Sequence, residues 1–225
     1  MNLYFLVEGK RTERKVYPKW LDILLPSFNR VDAPYKASGN NYFLISGNGY
    51  PLILEHLKDA IANIERERKY DYLILTIDAD EQSIEEKKKE VYDYLESNGI
   101  DIKGFIFRVF IQNRTFETWL LGNAKIFPRQ PDNPDFADMV RHYDTSKNDP
   151  ELMGKYREYE KYAEFHHDYL RLMLAERNIR YTKKHPRVVS EPYYLDALIN
   201  RIETTPDIKS FNEFVIFCKN IEESQ

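Results

Sequence analysis

Residues 72–80 read YLILTIDAD, six residues of nearly unbroken apolar and β-branched chain that end in an Asp-Ala-Asp triplet. A run this short and this apolar, closed by a turn former, reads as a strand buried on both faces. Three more segments repeat the pattern. LYFLV (3–7) ends at Glu8-Gly9, YFLIS (42–46) ends at Gly47-Asn48-Gly49, and residues 105–111 form the fourth run. Helical periodicity fills the gaps. The segment 12–25 opens on Thr12 as a candidate cap, and Pro18 is expected to bend or shorten it. Pro51 suits the first turn of a helix running to about Arg68. Ser83 and Glu86 form a capping box for a charged helix that Asn98-Gly99 stops. Strands alternating with helices predict an α/β fold: a mostly parallel sheet with helices on both faces, in Rossmann-like layering.

Beyond residue 125 the pattern changes. Residues 128–150 are rich in Pro, Asp and Asn and read as a long loop or lid. A helix is expected from Glu151 to about Asn178, carrying Tyr156, Tyr159, Tyr162, Phe165, Tyr169 and Leu172 as a packing stripe. The last 45 or so residues look helical, punctuated by Pro192 and Pro206. The expected organisation is an α/β core over residues 1–125 and a loop and helical extension over 126–225, packed on that core.

Composition excludes several classes. With 42% hydrophobic and 31% charged residues the chain can build a core and is not disordered. Its one cysteine, Cys218, leaves no disulfide framework and no CxxC zinc site, and its apolar setting reads as a buried thiol. The adjacent His166 and His167 lack a third partner at metal spacing. The opening apolar run is too short for a signal peptide and no run spans a bilayer, so a cytoplasmic protein with no membrane partner is expected. Net charge is −4, yet it is unevenly spread: residues 1–30 and 171–190 each carry six basic side chains, whereas 71–101 carries ten carboxylates and three lysines. Basic flanks around an acidic centre suit a phosphate-bearing partner and a cation.

Parallel α/β sheets bind ligands beyond the carboxyl ends of their strands. Glu8 follows the first strand there, and Asp78 and Asp80 follow the third. If those strands are neighbours, three carboxylates meet, and Mg²⁺, a hard ion that takes oxygen ligands and bridges to phosphate, is the natural guest, with Mn²⁺ as a substitute. Glu13 and Glu117 are candidates to support a metal. Lys10, Arg11, Arg14 and Lys15 are candidate phosphate contacts beside Glu8. Lys183, Lys184, His185 and Arg187 form a second basic cluster, in which Lys183 and Arg187 are candidate nucleic-acid contacts and Lys184 the candidate transition-state cation.

Leu6-Val7-Glu8-Gly9 after the first strand, with Asp78-Ala79-Asp80 after the third, resembles the signature of the Toprim domain of topoisomerases, bacterial primases and OLD-type nucleases. Glu8-Gly9-Lys10-Arg11-Thr12-Glu13 is similar to the EGxxTE-like opening of OLD and RloB-like proteins. Phe116-Glu117-Thr118-Trp119-Leu120-Leu121 resembles the FExWLL segment of small Toprim-like proteins of bacterial defence loci. The resemblance covers residues 1–125 and becomes loose after them. It implies a Mg²⁺-dependent nuclease cutting DNA or RNA in phage defence, with Asp78 and Asp80 holding the metal and Glu8 completing the site or handling the proton. No Walker motif is present, so an ATPase would come from a separate partner. The alternative is a non-catalytic Toprim-like subunit that binds nucleic acid or a partner within a larger, ATPase-containing complex. Phosphatase- and receiver-type folds place their key aspartate after the first strand, where this chain has Glu8.

Overall fold

The central strand β1 (Asn2–Val7) is buried along its whole length, as its unbroken apolar run requires. In the computed structural model, which describes residues 1–157 and 159–225, it lies in a five-stranded, all-parallel sheet of order β2-β3-β1-β4-β5. The other strands are β2 (Asn29–Val31), β3 (Asn41–Ser46), β4 (Tyr72–Asp78) and β5 (Ile106–Gln112). β1 pairs with β3 from Asn2↔Asn41 to Val7↔Ser46, and with β4 from Leu3↔Tyr72 to Val7↔Thr76. β2 pairs with β3 over only three positions, Asn29↔Asn41 to Val31↔Phe43. The parallel α/β class expected from the sequence is the one observed.

The chain divides into two units, one of residues 1–77, 84–111 and 216–225, the other of residues 78–83 and 112–215. In the first, α1 (Glu13–Leu24) buries Val16, Tyr17, Trp20, Leu21 and Leu24, a stripe at helical spacing. It lies on the face carrying Tyr42, whose hydroxyl reaches the Pro18 carbonyl at 3.4 Å. α2 (Leu52–Glu67) covers the opposite face, where Asn63 bonds the Tyr4 hydroxyl and Tyr4 packs on Phe43. α3 (Ile84–Ser97) begins directly after Ser83, and Gly99, at φ 62°, closes it. Phe217 sets its ring against Tyr72 and Phe110, so the end of the chain packs on the sheet.

Two local expectations change. Pro18 does not shorten α1, which runs through it with the ring buried, and Thr12 makes no side-chain cap, having helical dihedrals itself.

The second unit is helical: α4 (Phe116–Leu120), α5 (Pro134–His142), α6 (Tyr162–Ala175), α7 (Arg187–Ser190), α8 (Pro192–Thr204) and the start of α9 (Lys209–Glu223). Trp119 is its centre, with Nε1 donating to Ser210 Oγ at 2.7 Å and its ring against Phe211 and Phe214. Arg201 is buried and fully employed: it bonds the carbonyls of Gly122, Thr145 and Asn148 and the carboxylate of Asp207.

The predicted loop 128–150 contains α5, started by Asn133, whose side chain accepts from Phe136 N, and by Pro134 at the first turn. Of the predicted helix from Glu151 to Asn178, residue 158 lies outside the described residues, and among the described ones the α-helix is only α6, preceded by a 3₁₀ turn at Pro150–Leu152. Tyr156 and Tyr159 therefore precede the helix, yet both rings pack on Phe165, at 5.5 and 5.3 Å. Of the stripe, Phe165 and Tyr169 are buried in the core, and Tyr156, Tyr159, Tyr162 and Leu172 are half-buried.

Candidate active site

In the first unit, Glu8 is the first residue beyond β1. The turn that follows β3 holds it: Ser46 Oγ and Gly49 N donate to its carbonyl at 3.3 and 2.9 Å, and Tyr50 N donates to its carboxylate at 3.2 Å. Glu13 is turned back instead of outward. Its carboxylate accepts the Gly9 N–H at 2.7 Å and is buried, and a Cβ at Gly9 would stand 1.8 Å from Glu13 Oε2. The Glu-Gly-x-x-x-Glu spacing thus builds a local latch, in which Glu13, a candidate to support a metal, is bonded to the backbone beside Glu8. Lys10, Arg11, Arg14 and Lys15 are all exposed, as phosphate contacts must be.

Three residues beside this turn escaped the sequence reading. Lys87 is buried, with its ammonium 4.0 Å from the centre of the Tyr50 ring and 3.2 Å from Glu90, and the Tyr50 hydroxyl also bonds Glu90. A triplet Lys87-Lys88-Lys89 reads as a solvated face, but Lys87, Val91 and Leu95 share one helical stripe, and that spacing was the available signal.

In the second unit, Asp78 ends β4 and the chain then turns sharply. Ala79 N donates to Gln112 O at 3.0 Å and Asp80 N to Arg114 O at 2.8 Å, which fixes Asp80 at φ 53°. Left-handed backbone of this kind is tolerated by Gly, Asn and Asp and by few others. Both aspartates are half-buried. The Arg114 guanidinium donates to Gln82 O at 3.0 Å and lies over the Tyr162 ring. Burial tends to raise the carboxyl of neighbouring Glu81, but Lys155 and the Tyr162 N–H bond it and hold it below its ordinary value. The Asp-x-Asp turn is therefore braced from both sides.

Glu117, read as metal support, is engaged differently. It is buried at the start of α4, and its Oε1 stands 3.3 Å from Lys183 Nζ, 3.4 Å from His167 Nδ1 and 3.4 Å from the Tyr181 hydroxyl, which donates to it. Burial alone would raise this carboxyl, but His167 and the Lys183 charge outweigh it and leave it below the usual range. Lys183, read as a phosphate contact, is exposed and stands as a counter-charge to the buried Glu117 carboxylate. Arg187 pairs with Glu191 at 3.1 Å on the surface, and Lys184 is exposed in the turn 182–185. His166 is fully buried, and His167 stands against Glu117 at 3.4 Å. Burial pushes the Cys218 thiol well above its ordinary pKa, as expected of a structural cysteine.

The donor set named from the sequence, Glu8 with Asp78 and Asp80, is all carboxylate oxygen, which is the chemistry Mg²⁺ selects. Among the described residues no three His, Cys, Asp or Glu side chains are gathered at ion-holding spacing. Nor is any helix among them long and apolar enough to cross a membrane. Comparison with protein-family models, with curated proteins and with solved structures gives no match.

Proposed function

We propose that this chain is a Mg²⁺-dependent nuclease acting on DNA or RNA. In this reading the carboxylates at the end of β4, Asp78 and Asp80, hold the ion, and Glu8 completes the site or carries the proton. One observation supports it above the rest: β1 and β4 are adjacent parallel strands with Val7 opposite Thr76, Glu8 follows β1 directly, and β4 ends on Asp78 with Asp80 two residues on. Such an ion stabilises charge on the non-bridging oxygens of a phosphodiester and lowers the pKa of bound water. The chain's own part is to present hard oxygen donors on a braced turn and to keep Glu8 fixed through Tyr50 N. The same reading gives the protein a cytoplasmic location, a role in phage defence and an ATPase partner on a separate chain.

The test is cleavage of plasmid, single-stranded DNA and total tRNA under Mg²⁺ and Mn²⁺, alongside Glu8→Gln, Asp78→Asn and Asp80→Asn. Each substitution is expected to lower the rate roughly a hundredfold or more, since the lost charge stabilisation is several kcal/mol. Full activity in all three variants rejects the reading. The absence of a pre-gathered triad among the described residues favours one rival, a non-catalytic subunit that binds nucleic acid or a partner ATPase. That rival predicts binding without cleavage under either metal.

A further inference from the structure

Within the first unit, β2 stops at Val31, opposite Phe43, whereas β3 continues to Ser46. Because β2 is the outermost strand, the outer edge of β3 from Leu44 onward has no strand beside it among the described residues. A groove of about 690 Å³ lies along that stretch. Leu44 and Ser46 line its floor, and Arg14 of α1, Arg30 of β2, Asn48 and His56 of α2 line its walls.

Its charge is one-sided. Arg14 and Arg30 are both exposed, and neither has a carboxylate partner among the described residues. The one aspartate on the wall, Asp32, is already neutralised by Lys36 at 2.7 Å. The edge of a sheet offers main-chain N–H groups to anions. Two guanidiniums beside such an edge, in a chain of net charge −4, make a local anion track.

We infer that this groove holds the phosphodiester backbone of a single-stranded nucleic acid. The inference deepens the nuclease reading by giving its substrate a path. Exposed cations suit a polyanion whose phosphates stay partly hydrated and contacted by charge instead of by base identity. A flexible single strand can follow a concave recess of this size, whereas a duplex is stiff and would meet only its rim. The turn that closes the groove, residues 46–50, is also the one that holds Glu8. The track therefore runs toward that carboxylate.

The experiment is fluorescence anisotropy of labelled dT and rU 20-mers across a salt series, in EDTA so that neither metal nor cleavage intervenes. Wild type is compared with Arg14→Glu/Arg30→Glu, and with Lys88→Glu/Lys103→Glu as a control of equal charge change at exposed sites elsewhere. Thermal melting verifies that both variants fold. The arginine variant is expected to bind at least tenfold more weakly and to reduce the slope of log K against log salt by roughly 1.4, the value for two single-strand phosphate contacts. The control should change affinity far less. Equal weakening in both variants overturns the assignment. So does polyglutamate displacing the oligonucleotides at equal charge concentration, since the groove would then take any acidic chain. If the arginine variant binds normally while Asp78→Asn abolishes cleavage, the groove assignment falls and the nuclease reading stands. If binding requires the two arginines but no metal supports cleavage, the nuclease reading falls and the groove stands.

Discussion

His166 has no exposed surface, and its Nδ1 shares a 2.7 Å hydrogen bond with Thr118 Oγ1. Burial pushes the imidazole from its ordinary 6.5 to about 4; the Met153 backbone and the Glu117 charge pull the other way without reversing it. In the unfolded chain the ring binds a proton once the pH drops below about 6.5, whereas the folded protein refuses that proton until about 4. Stability is therefore lost as the pH falls through that window. At about 1.4 kcal/mol per pKa unit, the loss is about 2 kcal/mol between pH 7 and 5 and about 3 kcal/mol by pH 4. Glu151, whose buried carboxyl is raised, favours the folded state as the pH falls toward 4.5, so the wild-type curve alone mixes opposing effects. The comparison to make is with His166→Gln, which retains a polar group for Thr118 and has nothing to protonate. Urea unfolding at pH 7, 6 and 5 should show the wild type losing about 2 kcal/mol more than the variant over that range. Parallel pH dependences for the two proteins would refute the assignment of acid sensitivity to this ring.

Arg201→Ala removes the cation that joins three carbonyls and Asp207, and leaves buried acceptors unpaired; chemical denaturation should register a loss of about 3–5 kcal/mol, or no folded protein at all. Two glycine substitutions should separate in size. At Gly47 a Cβ would stand 2.7 Å from the Ile53 Cα, so backbone must move and Gly47→Ala should cost about 2–3 kcal/mol. At Gly9 the obstacle is the flexible end of Glu13, so Gly9→Ala should cost about 1 kcal/mol, the worth of the lost N–H bond. A larger loss at Gly9 than at Gly47 in thermal melts contradicts this account.

The central strands were legible because a sheet covered on both faces demands unbroken apolar runs, and β1, β3 and β4 supply them. β2 was not legible. Two of its three residues, Asn29 and Arg30, are polar and exposed, and only pairing with β3 makes the segment a strand. α5 was legible in principle, since Asn133-Pro134 is a cap and first-turn signal, but the Pro- and Asp-rich composition around it obscured this. The helix before Tyr162 was overread because aromatic spacing persists where the backbone is not helical. Around the site, the positions of Glu8 and the Asp-x-Asp turn at strand ends follow from periodicity alone. Which charges pair does not. That Lys183 serves Glu117, or that Glu13 folds onto Gly9, depends on contacts that one-dimensional spacing leaves undetermined.

The backward twist at Asp80 narrows what inheritance can do with that position. Of the residues that accept such a backbone, Asn and Gly are each one nucleotide change away from an aspartate codon, and neither supplies a carboxylate. A lineage that drifts at residue 80 is thus steered toward copies that keep their shape and lose a negative charge. If that charge anchors an ion, cutting and merely gripping forms of this protein lie a single base apart.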